Sequence, residues 1–135
     1  MSITNAPIHD LLIRIKNAYL ARRETVKDVI YSSFKKEVLD LLKRYNYILD
    51  YTIISQENNK KFLSIKLKEV VDPVNDIPVI KFVSKPSRRM YVGYELIKSV
   101  AGGRGIGIIS TNKGLMATHE AKAKKLGGEL IAEIY

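Results

Sequence analysis

The run Gly102-Gly103-Arg104-Gly105-Ile106-Gly107-Ile108-Ile109-Ser110-Thr111-Asn112-Lys113-Gly114 joins glycines, β-branched residues and short polar side chains. Its glycines invite a phosphate-cradling loop, but the order of parts is wrong for one. A dinucleotide fingerprint runs strand, glycines, helix, so that a helix N-terminus meets the phosphates. Here the glycines precede an apolar β-branched run, Ile106 to Ser110, and the terminal Gly-Lys-Ser/Thr of a Walker loop is missing. The glycines are therefore expected to make a tight turn and to let backbones approach closely. The run after them reads as a buried strand that ends in short polar side chains, which points to a mainly β region.

Outward from this stretch the remaining elements fall into place. Downstream, Thr118 is expected to cap a last helix through Leu126, and Glu129 to Tyr135 to form a closing strand. Upstream, Pro78 to Val83 reads as a strand, Ser84 to Arg89 as a loop, and Tyr94 to Ser99 as a short helix. Further back, Ile8, Leu11, Leu12, Ile15 and Tyr19 make one apolar helical stripe, with Asn5 as its cap and Pro7 in its first turn. Val26 to Tyr31 alternates loosely as a short strand. A second helix follows, capped by Ser33, with Phe34, Val38, Leu41, Leu42 and Tyr45 on its buried face. Tyr47 to Ile54 reads as a strand, Gln56 to Lys60 as a turn, and Phe62 to Leu67 as the returning strand. Leu63, Ile65 and Leu67 share one face of it.

The expected fold class is α/β of the α+β type, in two small lobes. Residues 1–68 form an N-terminal α-β-α-β-β lobe. Residues 69–77 form a linker, marked by three acids, no basic residue and Pro73 between Glu69 and Asp76. Residues 78–135 form a mainly β C-terminal lobe with one or two short helices.

Composition bounds the function. The chain has 135 residues, 46% of them hydrophobic, so a packed core is expected. The absence of cysteine excludes disulfides, thiolate zinc sites and iron–sulfur clusters. No apolar run approaches the length of a membrane span, and Met1 to Ala6 has neither the basic nor the apolar region of a secretory signal. The expectation is a small, soluble, intracellular protein. Its net charge of +9 favours a polyanionic partner, nucleic acid ahead of an acidic membrane surface. Residues 81 to 125 carry ten Lys and Arg against Glu95 and Glu120 alone, and residues 14 to 44 carry nine basic against four acidic residues.

An enzyme reading finds little to stand on. His9 and His119 fall in helix first turns without metal-ligand spacing, and the carboxylates are scattered among basic neighbours. No catalytic residue, metal or cofactor is expected. A nucleotide-using enzyme and a duplex-DNA binder remain the rival classes, the latter without a recognition-helix signature. Ser110, Thr111, Asn112 and Lys113 can donate to and accept from base edges, sugar hydroxyls and phosphates. The same residues also make an ordinary polar turn, which composition alone favours. Lys85, Arg88 and Arg89 with Tyr91 form a second candidate, cations beside an aromatic that can stack on a base.

These segments together resemble the bacterial small-subunit ribosomal protein number eight family along nearly the whole chain. The resemblance is carried by Pro7-Ile8-His9-Asp10-Leu11-Leu12-Ile13-Arg14-Ile15-Lys16-Asn17-Ala18, Val83-Ser84-Lys85-Pro86 with Arg89 and Tyr91, Gly105 through Met116, and Leu126-Gly127-Gly128-Glu129. It implies a protein that binds the central domain of small-subunit ribosomal RNA early in assembly, reading a distorted minor groove. It further implies ribosomal-protein neighbours, a cytoplasmic location in the small subunit, no membrane, and for many members repression of their own messenger RNA. Carried over residue by residue, the implied RNA-binding set is Ser110, Thr111, Asn112, Lys113, Gly114, Gly128, Glu129, Tyr91 and Pro86, with Lys85 and Arg89 as phosphate contacts. Three positions depart from the family pattern: Asn112 stands where Ser is usual, Ser87 where Gly is usual, and Ala117-Thr118 where Thr-Asp is usual.

Overall fold

The computed structural model describes residues 5–85 and 87–135, and side chains from residue 8 onward. The expected capping side chain of Asn5, the Pro7 ring and Pro86 lie outside these. Two compact units divide the chain, one built on Pro7–Pro78 and the other on Val79–Tyr135.

The first unit runs α1 (Asn5–Leu20), β1 (Thr25–Ile30), α2 (Ser33–Arg44), β2 (Asp50–Ser55) and β3 (Lys61–Lys66). The apolar stripe of α1 is the core-facing one: Ile8, Leu11, Leu12, Ile15 and Tyr19 are each no more than 2% exposed. Tyr19 also has a polar end to satisfy. Its hydroxyl donates to the Tyr47 carbonyl at 2.5 Å and accepts from the Lys68 amide at 3.3 Å, and burial pushes the phenol pKa up. The three strands pair antiparallel in the order β1-β3-β2, with Leu63, Ile65 and Leu67 all buried as their alternation predicts.

Several local features differ from the expected ones. Ser32, not Ser33, caps α2: it holds the extended backbone and its Oγ accepts from the Lys35 amide at 3.2 Å. Two adjacent serines offer the same chemistry, and only the one three residues before a free amide reaches it. Phe34 is exposed and Leu39 takes its place among the buried Val38, Leu41 and Leu42. Tyr45 lies beyond the helix as its C-cap. β2 starts at Asp50, because Asn46 at φ +64° turns the chain out of α2 and Tyr47 to Leu49 complete the bend. The loose alternation of β1 has a cause as well. The register shifts between Val26 and Val29, with Asp28 at φ +60°, and both valines end up buried. Asp72 to Asp76 form a hydrogen-bonded turn at the end of this unit. The Asp76 carboxylate accepts from the Asp72 and Val71 amides at 2.7 and 2.9 Å, which holds its pKa below the usual range.

The second unit contains β4 (Ile80–Phe82), β5 (Tyr91–Val92), β6 (Ile106–Thr111), β7 (Gly114–Ala117), α3 (Thr118–Ala123) and β8 (Gly128–Ile134). All pairings are antiparallel, in the order β4-β8-β6-β7 with β5 also on β8. Ile97, Ile109, Met116 and Ala121 form a buried cluster, packed by Val92, Tyr94 and Leu126. β8 carries a bulge against β6 between Ile108 and Ile109, and this is why Ile131 and Ala132 are both fully buried despite being neighbours.

The glycines do what the sequence order requires. Gly102 and Gly103 take φ +67° and +91°, and a Cβ on Gly105 would collide with the Ile134 carbonyl oxygen. The Tyr94 to Ser99 helix reduces to one 3-10 turn at Tyr94–Leu96. Thr118 does not cap α3. Ala117 occupies the cap position without a side-chain bond, while Thr118 is buried and its Oγ1 accepts from the Gly107 amide at 3.2 Å. A buried backbone N–H on β6 claims the hydroxyl that an exposed helix end would otherwise use. The fold class is α+β, with mixed helices and antiparallel sheets.

Candidate nucleic-acid interface

The candidate residues of the second unit are gathered by strand pairing. Tyr91 faces Glu129 across β5 and β8, Glu129 faces Ser110 across β8 and β6, and Ser110 faces Leu115 across β6 and β7. Residues directly opposite in antiparallel strands share a face, so these four form one row across four strands. Adjacent strands lie about 4.8 Å apart, which places the Tyr91 and Ser110 backbones roughly 10 Å from each other. Tyr91 is 69% exposed and projects from the row.

The loop beyond Ser110 is a tight hairpin. Thr111 pairs with Gly114, leaving Asn112 and Lys113 as its exposed tip. Gly114 takes φ +110°, a backbone conformation that glycine adopts without strain. Thr111 closes the turn with its own side chain: Oγ1 donates to the Gly114 carbonyl at 2.9 Å and accepts from the Lys113 amide at 3.1 Å. Gly128 is needed beside it, because a Cβ there would run into the Ser110 carbonyl. The arrangement presents a rigid polar tip with a cation, next to an exposed aromatic.

The 84–90 loop buds from the edge of β8. Val83 and Ser84 amides donate to the Ile131 carbonyl at 3.0 and 3.2 Å, and the Leu130 amide returns to the Met90 carbonyl at 2.9 Å. Ser84 closes the neck. It is fully buried, and its Oγ accepts from the Met90 amide at 2.8 Å and donates to the Met90 carbonyl at 3.4 Å. Within the loop Lys85 and Arg88 bridge through both backbone bonds, at 2.9 and 3.0 Å, and both side chains are exposed. Arg89 instead turns inward, with Nη1 3.4 Å from Oε2 of the buried Glu129.

Ser110 to Gly114, Gly128, Glu129, Tyr91 and Arg89 are thus joined by ladder pairs or direct contact. Lys85 is carried on the outer part of the loop, bonded through its backbone to Arg88. Ser84 is the residue that sequence reasoning left out as a site member. Its signal was a serine directly between an apolar strand and a basic loop, a position suited to closing a turn. Among the described residues no group of three or more His, Asp and Glu is placed to hold a metal ion. No helix of the structure is long and apolar enough to cross a membrane.

The first unit has a polar cleft of its own, about 830 Å³, whose charged lining is Arg14, Arg23 and Lys27 with the acids Glu24 and Asp28. Arg14 is held across it, donating to the Lys27 and Asp28 carbonyls at 2.5 and 3.4 Å where β1 changes register.

Comparison with known proteins adds a further finding. The sequence model of the family described as Ribosomal protein S8 matches residues 6–135. The Small ribosomal subunit protein uS8 of Chelativorans sp. is 44% identical over 131 residues, covering 97% of this chain and 98% of that relative. The protein of the same name from Dictyoglomus thermophilum is 46% identical over 136 residues, covering all of both chains. That of Brucella ovis is 43% identical over 135 residues, again covering 100% of each.

Proposed function

The chain belongs to the ribosomal protein S8 family, and on that premise we propose that it is a structural, non-enzymatic constituent of the small ribosomal subunit that binds the central domain of its 16S-type RNA and helps organise it during assembly. The observation that carries this reading is the cross-strand row Tyr91–Glu129–Ser110, which ends beside the rigid Thr111–Gly114 hairpin. Three sequence-distant segments meet there, and they contribute hydroxyls, an amide, a cation and an aromatic to one small surface.

Each group has a distinct task. The A-form major groove is too deep for side chains, so recognition goes by shape through the shallow minor groove and irregular, splayed bases. The short side chains of Ser110 and Asn112 donate to and accept from ribose hydroxyls and base edges; an amide at residue 112 does this as well as a hydroxyl. Thr111, Gly114 and Gly128 hold the hairpin close enough for backbone approach. Lys113 and Lys85 neutralise phosphates, and Tyr91 stacks on a base or sugar. Pro86 belongs to the same loop by resemblance. The Arg14–Lys27 cleft adds sequence-independent phosphate contacts from the first unit. In the cytoplasm the partners are this RNA, neighbouring small-subunit proteins, and the chain's own messenger RNA wherever it imitates the ribosomal site.

The experiment is equilibrium binding of the full chain to a central-domain RNA fragment and to an unrelated duplex of equal length, at several salt concentrations. A preference for the fragment that persists at high salt is expected. Lys113→Gln is expected to weaken both RNAs and to flatten the salt slope by about 0.7–0.9. Equal binding to both RNAs, vanishing as salt rises, would reduce the proposal to a basic surface.

A further inference from the structure

An acid at the centre of a polyanion-binding face requires explanation. Glu129 is 4% exposed and stands between Tyr91 on one strand and Ser110 on the other. A carboxylate removed from water is costly unless paired, and here it would also repel phosphate. Arg89 supplies the partner, with side chains 18% and 5% exposed at a separation of 3.4 Å. The next residue, Met90, is gripped at both its N–H and its carbonyl by the buried Ser84 hydroxyl, and its carbonyl also takes the Leu130 amide. The residue after that, Tyr91, pairs with Glu129 itself. Three consecutive residues of the loop are therefore fastened to two consecutive residues of β8.

From this juxtaposition we propose that Arg89 and Glu129 are positioning residues of the RNA interface, whose ion pair fixes the 84–90 loop to β8 and so sets where Tyr91 and Lys85 stand relative to the hairpin. The inference rests on the RNA-binding reading above and assigns neither residue a contact with RNA. The two charges cancel, so the pair leaves the number of neutralised phosphates unchanged. A planar guanidinium held in one orientation also serves as a geometric stop, which a lysine ammonium does not reproduce.

The test uses the full chain and the variants Arg89→Lys, Arg89→Gln, Glu129→Gln and the double Arg89→Gln/Glu129→Gln. Preference for the central-domain fragment over the duplex is measured across salt. Each single variant is expected to lose roughly tenfold in preference, the scale of a lost charge-assisted hydrogen bond. The double variant is expected to lose no more than the worse single, because both act through one pair. The double variant, which removes both charges together, is expected to leave the salt slope of fragment binding unchanged. Additive losses would overturn the inference, as would an unchanged preference in all variants. A slope lowered by about 0.7–0.9 in Arg89→Gln with preference intact would make Arg89 a phosphate contact instead. If Glu129→Gln does not fold, the two Arg89 variants still decide through preference and slope. A wild-type chain without preference would remove the RNA-binding reading and the inference together, whereas a preferring wild type with indifferent variants would remove the inference alone.

Discussion

Thr111 shows how much a single hydroxyl determines. Its polar character was legible in the sequence, and so was its place after a buried strand. Its use was not, because the Oγ1 bonds to Gly114 and Lys113 exist only once the turn at Asn112-Lys113 is closed. The hydroxyl is engaged inside the hairpin, so Thr111→Val is expected to destabilise the chain by about 1 kcal/mol in denaturant unfolding and also to weaken fragment binding. Ser110→Ala is expected to weaken fragment binding by about 1–2 kcal/mol, the scale of a lost buried hydrogen bond, with the unfolding midpoint unmoved. A Thr111→Val midpoint equal to wild type would contradict the internal role. Ser32 and Thr118 teach the same lesson. Both are hydroxyls whose type was readable, while the amide each one serves, at Lys35 and Gly107, was set by tertiary geometry.

At the scale of elements, regular periodicity was legible and irregularity was not. The α1 stripe and the alternation of Leu63, Ile65 and Leu67 followed directly from periods of 3.6 and 2. The register shifts in β1 and β8 depend on a partner strand distant in sequence, and β5 is two residues long and exists because β8 offers an edge. No window of local sequence contains that information. The candidate site is assembled from such irregular pieces, so the resemblance could propose members for it but not their arrangement. Gly128 is where element and site meet. Gly128→Ala forces a methyl group against the Ser110 carbonyl, so β8 must pull away from the hairpin. The expected cost is about 1–3 kcal/mol of stability, the usual range for overpacking, together with loss of preference for the ribosomal fragment. Retention of both in the alanine variant would mean that the close approach is not needed.

For the whole molecule, charge points to a class of partner and the fold offers candidate surfaces for it. A net charge of +9 pointed to a polyanion without saying which face meets it. The second unit concentrates polar, aromatic and cationic groups around one cross-strand row, whereas the first offers a cleft where Arg14, Arg23 and Lys27 outnumber Glu24 and Asp28. General phosphate attraction suits the cleft and shape recognition suits the row, so the two surfaces should respond differently to salt. The most direct measurement is residue-resolved: backbone amide shifts of the isotope-labelled full chain, titrated with the central-domain RNA fragment at high salt. Recognition at the cross-strand row puts the largest changes on Tyr91, Ser110 to Gly114, and Gly128. Changes confined to the Arg14–Lys27 cleft, or spread evenly over the basic surface and lost as salt rises, would contradict it.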